Sequence, residues 1–220
     1  MTTPFLFPFF YYSFILFTFP LSVFTFDLHI SKYFCTFAEN LINAMIMNTT
    51  RPTVALVYDF DGTLAPGNMQ EFGLLQALGY DNPNDFWNLC DQIAKTNDAG
   101  GIAVVMYAIQ VEAERVNVPC SRESLRHFGK QVEFFKGVRE WFDHINAYAQ
   151  EIGLELKHYI NSSGIKEMIE GCDIAKHFEN IYACTYLYDA KGEACWPAVV
   201  VDYTKKTQFL FKINKGIREV

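Results

Sequence analysis

The pattern of apolar and polar positions predicts strands that alternate with helices. Residues 54–58 are apolar and rich in β-branched side chains, as in a parallel strand buried on both faces. Residues 154–160 also have strand character, and residues 181–188 and 194–202 predict a β-hairpin around the turn 189–192. Helices are predicted over residues 69–78, 86–95, 102–116, 121–132, 137–150, 165–170 and 204–216. This order favours an α/β fold around a parallel sheet.

The first candidate chemistry stands where the first strand ends. Asp59 and Asp61 follow it directly, and Gly62 then breaks the strand. Ligands of open α/β sheets bind just outside the carboxyl ends of the strands. There, one carboxylate can attack phosphorus, and the other can protonate the leaving oxygen and later activate water. The alternative is an Asx-rich turn that only ends a strand.

A second candidate site follows the strand at residues 154–160. Asn161, Ser162, Ser163 and Gly164 come next, before the short predicted helix at residues 165–170. Hydroxyl groups beside a helix N-terminus can bind an anion. The alternative is an ordinary serine N-cap.

Two lysines open the helix predicted over residues 204–216. Lys205 and Lys206 oppose the helix dipole at this end, so a nearby anion would relieve the mismatch. The alternative is a pair of solvated surface lysines.

The acidic motif resembles the first signature of the haloacid dehalogenase-like hydrolases, in its phosphatase branch. The residues that carry the resemblance are Val57, Tyr58, Asp59, Phe60, Asp61, Gly62, Thr63 and Leu64. The resemblance implies that Asp59 is the nucleophile and Asp61 the general acid and base. It also implies that the Asp59 carboxylate and the Asp61 main-chain carbonyl bind Mg²⁺. An aspartate at the position of Asp61 argues against the true dehalogenases and the P-type ATPases.

The same resemblance assigns the phosphate-binding residues. It places the Ser162 hydroxyl and the Ser163 amide on the phosphate, with Lys206, or failing that Lys205, balancing the charge. Asn161 departs from the family pattern, which usually has an apolar residue there.

The resemblance also implies a Rossmann-like core interrupted by a helical cap. We predict a core formed by residues 47–66 and 137–220, a cap over residues 67–136, and an apolar extension over residues 1–46. The family has an acidic loop after the lysine helix, and no such loop stands between Gly216 and Val220. We therefore expect a truncated or a degenerate chain, and we favour truncation.

Residues 4–26 carry no charge and are long enough to span a bilayer. Pro20 would kink a helix there, and no basic residue precedes Lys32 as in a secretory signal. A translation start at Met45 or Met47, with the upstream residues a gene-model artefact, is the interpretation we favour. If the segment is a real anchor, the catalytic half is expected in the cytoplasm.

Composition and charge limit the partners, metals and compartment that the sequence favours. A net charge of −7 without a basic cluster argues against nucleic acid. The six cysteines show no Cys-x-x-Cys spacing, which argues against structural zinc and is typical of a reducing compartment. We expect a cytoplasmic protein, and the sequence leaves its oligomeric state open.

The sequence thus predicts a Mg²⁺-dependent hydrolase of a small phosphorylated metabolite, acting through an aspartyl-phosphate. A phosphotransferase or phosphomutase differs only in the final acceptor. The alternative from another class is a catalytically dead remnant that binds phosphorylated ligands or nothing.

Overall fold

The computed structural model describes residues 13–16 and 52–217. Its strands are β1 (Ser13–Leu16), β2 (Thr53–Tyr58), β3 (Glu155–Ile165), β4 (Phe178–Tyr188) and β5 (Ala194–Val199). Within the described residues these strands form one sheet in the order β1-β2-β3-β4-β5. β1 to β4 run parallel, and β5 pairs antiparallel with β4 as the predicted hairpin. The predicted α/β fold is confirmed.

The helices follow the predicted positions closely. They are α1 (Leu74–Ala77), α2 (Pro83–Asn97), α3 (Gly101–Val116), α4 (Arg122–Gly129), α5 (Val138–Glu151), α6 (Lys166–Gly171) and α7 (Tyr203–Asn214). The helix predicted over residues 69–78 is divided into a 3-10 turn at Met69–Glu71 and α1. Gly73 separates them with a φ of +93°, which lies in the left-handed region that a right-handed helix does not use.

β2 is buried on both faces, as its sequence predicts. Val54 and Leu56 pack with Ile145 of α5 on one face. Ala55 and Val57 belong to the larger apolar cluster on the other face. The strand is therefore held between two layers, and its carboxyl end is fixed.

β3 extends further than the sequence predicts. The predicted strand ends before Asn161, whereas β3 continues to Ile165. The reason is its pairing with β4, in which Asn161 lies opposite Tyr182 and Ile165 opposite Cys184, with a register shift between them. Consequently α6 begins at Lys166.

Residues 4–26, the predicted apolar segment, lie outside the described part of the chain except for Ser13–Leu16 in β1. Among the described residues, no helix has both the length and the apolar character needed to cross a membrane.

The helices of the predicted cap, residues 67–136, contact the hairpin β4–β5. The amide of Cys120 donates to Glu193 Oε2 at 2.7 Å. The hydroxyl of Tyr186 donates to the carbonyl oxygen of Met106 in α3 at 2.8 Å. The division into core and cap stays a prediction, and these contacts show where the two would be joined.

α4 and α6 approach one another through two glycines. A Cβ atom on Gly129 would overlap the carbonyl oxygen of Met168, and one on Gly171 would overlap the carbonyl oxygen of Arg126. The ion pair between Arg126 and Glu170, 2.6 Å long, flanks this crossing. Backbone-to-backbone contact of this kind requires glycine at both positions.

A chain of side-chain hydrogen bonds surrounds the end of β2. Trp141 Nε1 donates to the Tyr58 hydroxyl at 3.0 Å, and Tyr58 lies 2.9 Å from His158 Nδ1. His158 Nε2 lies 3.1 Å from Asn146 Oδ1, which can only accept, so the imidazole carries its proton on Nε2 and accepts from Tyr58 on Nδ1. Burial, and then the charge of His177, lowers the pKa of His158 to about 4. The imidazole is therefore neutral at neutral pH.

We expect Gly129→Ala and Gly171→Ala each to lower the free energy of unfolding by about 2–3 kcal/mol, because the backbones of α4 and α6 must move apart. Gly101→Ala is the matched control, since a Cβ there meets nothing within 4 Å. It should leave stability unchanged or raise it by up to about 1 kcal/mol. Urea unfolding measures all three, and equal stability of all variants would contradict the close crossing.

We expect His158 to make the fold sensitive to acid. Because its folded pKa of about 4 lies below the unfolded value, its contribution is complete above the unfolded pKa and is lost as pH falls toward 4. The loss should amount to about 3 kcal/mol. His158→Gln should remove this part of the pH dependence in urea unfolding between pH 7 and pH 4. The exposed His144→Gln in α5 should retain it, and a parallel response of both variants would refute the assignment.

Candidate active site

Asp59 stands at the carboxyl end of β2, as predicted. Its Oδ1 accepts the amide of Phe60 at 2.8 Å, and its Oδ2 forms an ion pair of 2.7 Å with Lys206 Nζ. Both side chains are partly exposed, at 32% for Asp59 and 21% for Lys206. Asp59 therefore contacts a cation on one oxygen and remains reachable from solvent.

Asp61 is the buried member of the acidic pair. Its Oδ1 accepts the amide of Met69 at 2.9 Å. Burial above all, and then the negative charges of Asp59 and Glu71, raise the pKa of Asp61 to about 7, against the opposing effects of the Met69 amide and Lys206. A carboxyl group with this pKa can both donate and accept a proton at neutral pH.

The turn that follows β2 depends on Gly62. Its φ of +70° lies in the left-handed region. Its amide donates to the carbonyl oxygen of Ala65 at 2.8 Å, and the amide of Leu64 donates to that of Phe60 at 2.8 Å. This tight turn places Asp61 over the site soon after β2 has ended.

The segment that follows Asn161 lies beside the acidic motif. Ser162 is fully buried, and its Oγ accepts the amide of Gly164 at 2.9 Å. A Cβ atom on Gly164 would stand 3.2 Å from Asp61 Oδ2 and would overlap Met69. The structure thus brings Gly164, which directly follows the predicted phosphate-binding residues Ser162 and Ser163, close to Asp61.

α7 presents Lys206 from its first turn. Asp202 caps the helix, with its Oδ1 accepting the Lys205 amide at 2.8 Å and the Thr204 hydroxyl at 2.7 Å. Of the two candidate lysines, Lys206 is the one whose ammonium group reaches Asp59. The contact with Asp59 is thus made by Lys206, the first of the two candidates, and its role at a phosphate stays a prediction.

Three neighbours of the site were not assigned a role from the sequence. The sulfur of Met69 accepts the amide of Ile165 at 3.2 Å and so joins the acidic motif to the end of β3. Glu71 Oε1 accepts from Trp87 Nε1 at 3.0 Å, and Asn161 Nδ2 donates to the carbonyl oxygen of Lys206 at 2.8 Å. The sequence gives one hint of these contacts: Asn161 is polar, whereas the haloacid dehalogenase-like family usually has an apolar residue at this position.

The oxygen donors of the acidic motif suit a hard divalent cation such as Mg²⁺, which is held by one or two carboxylates plus phosphate and water. Each Asp59 oxygen already accepts one N–H, and each carboxylate oxygen has a second lone pair for a metal. Among residues 52–217, no group of three or more His, Cys, Asp or Glu side chains is placed to hold a metal. The donor type of Asp59 and Asp61 is the one that such a cation prefers.

Comparison with known proteins adds the following. No protein-family model matches the chain. An uncharacterized protein of Borreliella burgdorferi is 28% identical over 200 residues, which make up 79% of this chain and 68% of that protein. A phosphoserine phosphohydrolase-like protein from Francisella tularensis has a TM-score of 0.46 and 17% identity, covering 74% of this chain and 73% of that one.

A HAD family hydrolase from Salmonella enterica serovar Typhi aligns with a TM-score of 0.52 and 12% identity, over 86% of this chain. The chain spans 62% of the length of that hydrolase. The similarity is one of fold, and it agrees with the resemblance carried by Asp59 and Asp61. The chain therefore has the fold of the haloacid dehalogenase-like hydrolases.

Proposed function

We propose that this chain is a Mg²⁺-dependent phosphomonoester hydrolase that acts through an aspartyl-phosphate on a small phosphorylated metabolite. The observation that carries the proposal is the pairing of two unlike carboxyl groups. Asp59 is partly exposed and contacts Lys206 at 2.7 Å, whereas Asp61 is buried and has a pKa of about 7. An accessible carboxylate beside a cation suits a nucleophile, and a carboxyl group whose pKa lies near neutral pH suits a general acid.

In the first step, Asp59 attacks phosphorus in line and the bond to the leaving alcohol breaks. The contact with Lys206 orients the Asp59 carboxylate, and its partial exposure lets a substrate approach. Asp61 gives its proton to the leaving oxygen, which is the role that its raised pKa supports.

In the second step, Asp61 acts as a base. Having lost its proton, it activates a water molecule that attacks the aspartyl-phosphate and releases inorganic phosphate. The amide of Met69, which donates to Asp61 Oδ1 at 2.9 Å, fixes the direction of the carboxyl group in both steps.

The non-bridging phosphate oxygens are assigned to Ser162, Ser163 and Lys206. Because Ser162 Oγ accepts the Gly164 amide, its own O–H is left to donate to an anion. Lys206 compensates the added negative charge. Mg²⁺, held by the Asp59 carboxylate and the Asp61 carbonyl, would supply charge neutralisation at the phosphoryl group.

We also propose a reducing, cytoplasmic location. The five cysteines in the described part of the chain are all unpaired, and Cys195 is exposed. Unpaired cysteines are typical of proteins in reducing compartments.

One substitution at each aspartate distinguishes the catalytic role of Asp59 from that of Asp61. With 4-nitrophenyl phosphate, Asp59→Asn should release no nitrophenolate, because no acyl phosphate can form. Asp61→Asn should release a burst of up to one equivalent and then lose turnover by about 10²–10⁴-fold, because an aryl leaving group needs no acid but hydrolysis needs the base. Stopped-flow absorbance and detection of the phosphorylated protein by mass spectrometry measure both.

The exposed Asp143→Asn in α5 is the isosteric control and should keep wild-type turnover. Full turnover by Asp59→Asn would remove the nucleophile assignment. A burst from neither variant, with turnover in the wild type, would point to a mechanism without an aspartyl-phosphate.

We expect phosphate release from a panel of alkyl and aryl phosphomonoesters to stop in EDTA and to return with Mg²⁺, because Asp59 and Asp61 are suitable oxygen ligands. A malachite-green assay measures the release. If the folded protein releases no phosphate from any ester in Mg²⁺, the hydrolase proposal fails. Binding of inorganic phosphate in calorimetry would then favour the remnant that binds phosphorylated ligands.

A further inference from the structure

We propose that Asn161 is a positioning residue that holds Lys206 opposite Asp59. Its Nδ2 donates to the carbonyl oxygen of Lys206 at 2.8 Å, while Lys206 Nζ reaches Asp59 Oδ2 at 2.7 Å. The inference deepens the proposed function and rests on it for the role of Lys206 at the phosphoryl group.

The sheet register explains why residue 161 can do this. Tyr58 of β2 lies opposite Ile160 of β3. Asp59 and Asn161 are the next residues along these two parallel strands, so they leave the paired region at the same edge. Asn161 therefore links the strand beside the nucleophile to the helix that carries the cation.

The first turn of α7 has few other polar attachments to the sheet. The cap residue Asp202 bonds within its own turn, to Thr204 and Lys205. Phe209 and Ile213 are the buried residues of α7, one and two turns further along the helix. Apolar packing there fixes the helix axis, whereas the Asn161 bond fixes the position of Lys206 itself.

Asn161 is unfavourable for the stability of the fold, which indicates that it has another role. It is 5% exposed, and its Oδ1 is buried without a hydrogen-bond partner among the described residues. The amide cannot be turned around, because the Lys206 carbonyl requires a donor. A buried acceptor left unpaired costs about 1–3 kcal/mol. An apolar side chain of similar size would avoid that cost but could not hold Lys206.

Asn161→Leu tests the position of Lys206 without any activity assay. Trace acetylation of the folded protein, read by mass spectrometry, should modify Lys206 more slowly than the exposed Lys191 in the wild type. In Asn161→Leu the rate at Lys206 should rise several-fold, while that at Lys191 stays constant. The midpoint of thermal unfolding should be unchanged or higher. Asn97→Leu, which removes a similar bond from Asn97 Nδ2 to the Ile93 carbonyl at 2.9 Å, should leave the Lys206 rate unchanged.

A double-mutant cycle tests the consequence for turnover. Asn161→Leu should lower kcat by about 10–100-fold, as expected for a misplaced reactive group. In a Lys206→Ala background the same change should have less than about a twofold effect on kcat, because neighbours that act through one group are not additive. Additive losses, or an unchanged acetylation rate at Lys206, would overturn the proposal.

Together, the acetylation measurement and the double-mutant cycle distinguish failure of this inference from failure of the proposed function. If the wild type has no phosphatase activity but the acetylation of Lys206 rises in Asn161→Leu, the positioning role holds and the hydrolase assignment fails. If the wild type is active and neither the acetylation rate nor kcat changes in Asn161→Leu, the positioning role fails alone. A lower melting midpoint with unchanged acetylation would show that Asn161 is merely structural.

Discussion

The ion pair between Lys206 and Asp59 joins parts of the chain that are far apart in sequence. Asp59 ends the first long strand, β2, and Lys206 opens the last described helix, α7, so the pair can form only after the sheet has assembled. At 2.7 Å it brings a cation to the acidic motif that contains Asp59 and Asp61. The site is therefore a product of the whole fold and not of one loop.

The ion pair also makes the two carboxyl groups different. Lys206 contacts Asp59 directly, whereas Asp61 is buried and receives one backbone amide, from Met69. Burial outweighs that amide and the more distant lysine, so the pKa of Asp61 rises to about 7. Two aspartates that are two residues apart thus have unlike surroundings, because one end of the motif faces α7 and the other faces the interior.

The sequence alone was sufficient for the parts of the fold that depend on local pattern. β2, the hairpin β4–β5 and the helices α2, α3, α5 and α7 follow from apolar periodicity and from Gly and Pro punctuation. The acidic motif could be located because an apolar strand stands before it. The continuation of β3 to Ile165 was missed, since it depends on pairing with β4 across a register shift, which local composition does not encode.

Long-range contacts account for most of what was missed at the site. Lys205 and Lys206 are equivalent in composition, and only the rotation of α7 selects Lys206 to face Asp59. The contact of Met69 with Ile165 and the close crossing at Gly129 and Gly171 join segments far apart in the chain. A single sequence contains no record of which distant residues meet, so such pairs could not be foreseen from residue type.

In the described part of the chain, the buried side-chain atoms that lack a hydrogen-bond partner are concentrated in one region. Three buried side-chain atoms have no hydrogen-bond partner there: Gln70 Oε1, Asn161 Oδ1 and Glu167 Oε2. Gln70 follows Met69, Asn161 follows the end of the β2–β3 pairing, and Glu167 lies in α6, which begins just after the Ser162 segment. Since each unpaired group is unfavourable, selection for stability alone would have removed them. Gln70 and Glu167 lie on the segments that follow Asp61 and Ser162, and Asn161 uses its amide group to bind the Lys206 carbonyl, so the polar groups kept at a cost in stability lie around the candidate site.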